Sequence, residues 1–144
     1  MTISKRDNLS LSSVALAIGT TTTKVTTGGA AQLVIDGRAA TVAAAADKFT
    51  LAGTALAAKQ VCVFFMCLDA AGTASVIQSP IVAAPAAPGY VAGAFEWPDP
   101  SGKAVVGAVL INSGAAVFTP GTTALTGVAT YINAALDYGK AITY

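Results

Sequence analysis

The chain has 144 residues, of which 54% are hydrophobic, 10% charged and none histidine, and its formal net charge is +1. That length fits one domain; the missing imidazole argues against Ser-His-Asp or Cys-His catalysis and histidine-ligated metals, and eight scattered Lys and Arg argue against a grip on nucleic acid. A folded monomer of this mass exposes about 6,800 Å², or about 450 Å² per formal charge, so part of the surface is expected to be covered by other protein.

Residues 1–13, M-T-I-S-K-R-D-N-L-S-L-S-S, are polar and start no periodic pattern. They read as an N-terminal arm, either loose or docked on a neighbour. Lys5 and Arg6 are followed at once by Asp7, and the next apolar run, Val14–Ile18, is too short for a secretory signal. The longest strongly apolar run, Val61–Leu68, is far below the roughly 20 residues a bilayer needs. A soluble protein made in a cytoplasm, with no membrane partner, is the expectation, and the Asn8-Leu9-Ser10 sequon then carries no meaning.

Short strands are expected at Val14–Ile18 and Thr22–Thr27. The stretch Gly19-Thr20-Thr21-Thr22-Thr23-Lys24-Val25 loosely resembles a phosphate loop but lacks the glycine before the lysine and the hydroxyl residue after it. A threonine-rich strand explains it better. A-A-Q-L-V-I and R-A-A-T-V-A are joined at Asp36-Gly37, a two-residue hairpin loop whose positions both need positive φ. Phe49-Thr50-Leu51 then leads through Gly53 to the most apolar segment.

Val61–Leu68 does not alternate, so it is expected to be a strand covered on both faces. Cys62 and Cys67 lie five positions apart within it, an odd spacing that puts their thiols on opposite faces and out of reach of each other. Two isolated cysteines make a poor zinc signal, and buried inert thiols are the expectation. Asp69–Thr73 reads as a turn, with T-A-S-V-I-Q returning as the hairpin partner.

From Ser79 to Gly102 the chain carries five of its six prolines together with Tyr90, Phe95 and the single tryptophan, Trp97. Proline cannot donate to a ladder, so this is expected to be a long crossover loop without a strand. Two readings stay open for its aromatics: a strap capping the core, or a contact surface. Strand pattern resumes with A-V-V-G-A-V-L-I, followed by turns at Asn112-Ser113-Gly114 and Pro120-Gly121 and a further strand within Val128–Ile132. The tail, with Tyr138 and Tyr144, reads as a last edge strand or a second arm. The seven carboxylates are dispersed, mostly beside Gly, Pro or Lys, where turn and cap roles suffice. No catalytic residue, cofactor site or metal site is expected.

Weak helix signals, abundant Thr and Val, and regular turn punctuation point to an all-β, single-domain antiparallel β-sandwich or jelly-roll-like barrel. Residues 1–13 form its arm, 14–144 the β domain, and 79–102 the long Pro-rich loop.

The order L-V-I-D-G-R-A-A-T-V-A-A-A, K-F-T-L-A-G-T-A-L-A-A, V-F-F-M-C-L-D-A-A-G-T, then G-K-A-V-V-G-A-V-L-I, F-T-P-G-T-T-A-L and T-Y-I resembles small virion proteins of tailed bacteriophages. The likeness runs from about residue 30 to residue 133 and rests on order and texture. Such proteins, often encoded near the major capsid protein, serve as head decoration, cement or head-fibre proteins. The resemblance implies a structural protein on the capsid exterior, made in the host cytoplasm, with the major capsid protein and further copies of itself, as a dimer or trimer, for partners. Candidate contact residues are Lys5, Arg6, Leu9 and Leu11 of the arm, Tyr90, Phe95 and Trp97 of the loop, and Tyr138 and Tyr144 of the tail. The alternative is a glycan- or receptor-binding module of a head fibre or tail, with Trp97 stacked on a sugar and Glu96 and Asp99 accepting hydroxyl hydrogen bonds.

Overall fold

The computed structural model describes residues 8–84 and 95–134. Within them the strands run β1 Leu9–Ser10, β2 Leu16–Ile18, β3 Lys24–Thr27, β4 Ala31–Ile35, β5 Arg38–Val42, β6 Ala45–Thr50, β7 Gln60–Leu68, β8 Ala74–Gln78, β9 Val82–Ala83, β10 Ala104–Asn112 and β11 Ala129–Asn133. They form three antiparallel sheets. A central sheet has the order β11-β10-β7-β8, with β9 also on β7, and two smaller sheets have the orders β1-β4-β5 and β2-β3-β6. The chain is all-β and sandwich-like, with one layer divided between the two small sheets.

The central strands β7 and β10 are buried along nearly their whole lengths because each face meets a different core. Cys62, Phe64, Met66 and Leu68 of β7 face the principal core, where Val25, Leu33, Ile35 and Phe49 of the small sheets meet them. Val61, Val63, Phe65 and Cys67 face a second core that includes Val105, Ala108, Leu110, Phe95 and Trp97. Fully burying a side chain of this size contributes about 1.5–3 kcal/mol, so a strand stabilised from both sides has no use for polar alternation.

β10 keeps its faces straight by a bulge. Ala104 pairs with Leu68 and Val105 with Cys67, but Gly107, not Val106, pairs with Met66. The extra residue reverses the parity of the strand, so Ala104 and Val106 face the principal core before it and Val109 and Ile111 after it. The residue after the extra one must be glycine: a Cβ on Gly107 would collide with Leu16 Cδ1 and stand 2.6 Å from the Ile132 carbonyl oxygen.

The hairpin at Asp36-Gly37 forms as its sequence requires, with φ of 51° and 78° and Ile35 opposite Arg38. Two expectations are corrected. Residues 8–13 are not a free arm: Leu9 and Ser10 pair with Val34 and Leu33 in the chain's own sheet. The region 79–102 is not strand-free, because Val82 and Ala83 pair with Val61 and Gln60. Pro80 is tolerated there because buried Ser79 completes the ladder, its N–H donating to the Val63 carbonyl at 2.8 Å and its Oγ accepting the Val63 N–H at 2.8 Å. The strand containing Phe49 begins at Ala45. Between the turns at 112–114 and 120–121 the chain contributes one bridge, Phe118 to Leu56.

Candidate interaction surface

The outer face of the β1-β4-β5 sheet follows from alternation. Ala31, Leu33 and Ile35 turn into the principal core, so Gln32 and Val34 turn outward. Leu9 stands opposite Val34 and Val34 opposite Ala39, with Gln32 opposite Thr41. The Leu11 N–H donates to the Gln32 carbonyl at 2.7 Å, which continues the β1 register by one residue. Leu9, 37% exposed, and Leu11, 62% exposed, therefore share one face with Val34, Ala39, Gln32 and Thr41. None of these six carries a charge. Thr41 Oγ1 donates to Gln32 Oε1 at 2.9 Å, so part of the polar capacity is internally satisfied.

This face is held rigidly. Ser12 Oγ accepts the Gln32 N–H at 2.9 Å and donates to the Ala30 carbonyl at 3.0 Å. Asn8 is buried; its Oδ1 accepts the Asp36 N–H at 2.8 Å and its Nδ2 donates to the Pro100 carbonyl at 3.1 Å. One side chain thus ties the start of β1 to the β4–β5 turn and to the Pro-rich crossover, with both the oxygen and the nitrogen of its amide hydrogen-bonded.

Phe95 and Trp97 lie elsewhere, on the opposite side of the central sheet, 9% and 8% exposed. Trp97 packs on Phe65 with ring centroids 5.4 Å apart and planes at 52°. This corrects their expected place on a contact surface: the crossover straps the second core, and the indole presents no open ring face for a sugar. Glu96 and Asp99, on either side, are exposed. Lys5, Arg6, Tyr90, Tyr138 and Tyr144 lie outside the described residues.

Sequence reasoning missed Val117, 60% exposed beside buried Phe118. In A-A-V-F-T nothing local says which of two adjacent apolar residues turns outward; the tilted contact of Phe118 with Phe64 decides it.

Cys62, Cys67, Asp47 and Asp69 serve the scaffold. Burial raises both thiols to about 11, and the two sit in different cores. The Asp47 carboxyl is held below its ordinary range chiefly by hydrogen bonds from Thr21, whose Oγ1 donates at 2.7 Å. That of Asp69 is lowered by the N–H groups of Thr73 and Ala71, at 2.8 and 3.0 Å. Both close turns. Among the described residues, no three His, Cys, Asp or Glu gather where they could hold a metal.

Comparison of the chain with protein-family models, with curated proteins and with solved structures finds no match.

Proposed function

We propose that this chain is a non-catalytic structural protein that decorates and cements a bacteriophage capsid from its exterior, acting as a dimer or trimer through protein–protein contacts. The observation that carries the reading is the uncharged outer face of the β1-β4-β5 sheet, with Leu9 and Leu11 exposed on it. Interface cores are depleted of charge and packed like protein interiors, and a face whose strand ends are pinned loses little conformational freedom on association. The low charge content of the whole chain and its resemblance to phage head proteins favour the same reading.

Size sets a condition. Strands of two, five and five residues cover about 190 Å², whereas a stable interface buries about 800 Å² on each partner. The face is thus the centre of a larger contact, and symmetric copies bound side by side share the load.

The test is sedimentation with shells assembled from a phage major capsid protein. Leu9→Asp combined with Leu11→Asp is expected to cost no more than about 2 kcal/mol of folding stability, Leu11 being 62% and Leu9 37% exposed, and to abolish co-sedimentation of the folded protein. Deletion of residues 2–7 separately measures the arm; deleting 2–13 would also remove β1. Unaltered decoration by the double variant would overturn the reading.

A further inference from the structure

Among the described residues the central sheet ends on β8, and the phase of the ladder shows which of its backbone groups point away from β7. The Asp69 N–H donates to the Thr73 carbonyl at 3.3 Å and the Ser79 N–H to the Val63 carbonyl at 2.8 Å. With the register Leu68–Ala74 through Phe64–Gln78, the hydrogen-bonded pairs are those of residues 73, 75, 77 and 79. The N–H and C=O of Ala74, Val76 and Gln78 therefore point away from β7, and none of these backbone groups has a partner among the described residues.

Exposed strand edges are normally blunted by a charge, a proline or a bulge within the strand. β8 is A-S-V-I-Q, with an unbroken register and none of these. At the opposite end of the sheet β11 is uncharged too, with β2 alongside it and Leu16 near Ile132. β6 lies beside β8 without bonding to it, and between them runs a cleft of about 330 Å³ lined by Lys48, Phe49, Thr50, Ala52, Ala74 and Val76. Lys48 is its only charged lining residue, and its Nζ lies 3.9 Å from where a Cβ on Gly72 would stand, at the turn that leads into β8.

We infer that this edge is a strand-addition site, and that its occupant is an extended segment of another polypeptide carrying a carboxylate that meets Lys48. Main-chain pairing to Ala74, Val76 and Gln78 supplies the affinity, and the cleft beside Val76 and Phe49 takes alternate side chains. A second copy of β8 fits less well: it has no acid to offer Lys48 and would bring its own lysine to the same edge. The inference is independent of the capsid reading, which concerns a different sheet.

The probe is a synthetic nine-residue peptide of alternating Val and Thr with one central Asp, titrated into the full chain and followed by amide hydrogen exchange and NMR shifts. The expected result is protection of the Ala74, Val76 and Gln78 amides, with those of β11 unchanged. Val76→Pro removes one outward donor and no β7–β8 bond, so it is expected to abolish binding in a folded protein. Lys48→Glu is expected to weaken the Asp peptide about two- to fivefold and to strengthen a peptide with Lys in place of Asp by a similar factor. This swap keeps the test intact if Val76→Pro fails to fold. The inference is overturned by no protection at millimolar peptide, by protection at β11 instead, by binding indifferent to Lys48→Glu, or by protection that rises with protein concentration alone.

Discussion

Trp97 and Phe65 meet with centroids 5.4 Å apart and planes at 52°, joining the crossover to the second face of the most buried strand. Offset or tilted aromatic pairs add about 0.5–1.5 kcal/mol to the burial of the rings. The pair makes the crossover a structural layer: without it, the faces of Val61, Val63 and Phe65 would lose part of their cover.

Trp97→Ala is therefore expected to cost about 3–5 kcal/mol of folding stability. Urea unfolding followed by far-ultraviolet dichroism measures it. A loss below about 1 kcal/mol would show that the indole is not part of the core.

Gly107→Ala places a methyl group against the Ile132 backbone oxygen and Leu16. The oxygen belongs to a paired strand and cannot move aside without breaking the β10–β11 register. A loss of about 1–3 kcal/mol is expected, read as a lower urea midpoint, and Leu16→Ala in the same chain should recover only the side-chain part.

Burial holds the Cys62 and Cys67 thiols neutral up to about 11, against an ordinary value of 9.0. A folded value above the unfolded one means that the unfolded chain ionises first as pH rises. Stability is thus expected to fall between about pH 9 and pH 11. Replacing both cysteines with alanine should flatten that limb of the melting temperature against pH. In the native protein neither thiol should react with a disulfide reagent at pH 8, and both should react in denaturant.

At the acid end the sign reverses. The Asp47 carboxyl is lowered by the Thr21 hydrogen bonds, with Lys24 adding a smaller part. Its contribution is complete above the unfolded value near 3.8 and is lost as pH falls through the lower folded value. Asp47→Asn should melt below the wild type at neutral pH, and the gap should close below about pH 4. A gap independent of pH would remove the carboxylate from the account.

Much of this architecture is written in short-range patterns. Asp36-Gly37 announces its hairpin because few other dipeptides accept two consecutive positive φ angles. The unbroken apolar run from Val61 announces a strand covered twice, and the odd spacing of Cys62 and Cys67 places them in separate cores, since a strand's side chains alternate whatever surrounds it. The outward leucines of β1 were legible as contact candidates, but their face was not. It exists only because Leu9 pairs with Val34, a partner chosen across 25 positions by the whole sheet.

Composition and periodicity by themselves determined an all-β chain, charge-poor and turn-punctuated, because alternation and turn geometry are properties of a few neighbouring residues. Among the described residues, tertiary structure alone decided the division into three sheets, the parity reversal at Val106 and Gly107, the inward turn of Trp97 and the position of β8 at a sheet edge. Each depends on which distant strand arrives alongside, and that choice is made by the packing of the whole core, which no local window of sequence contains.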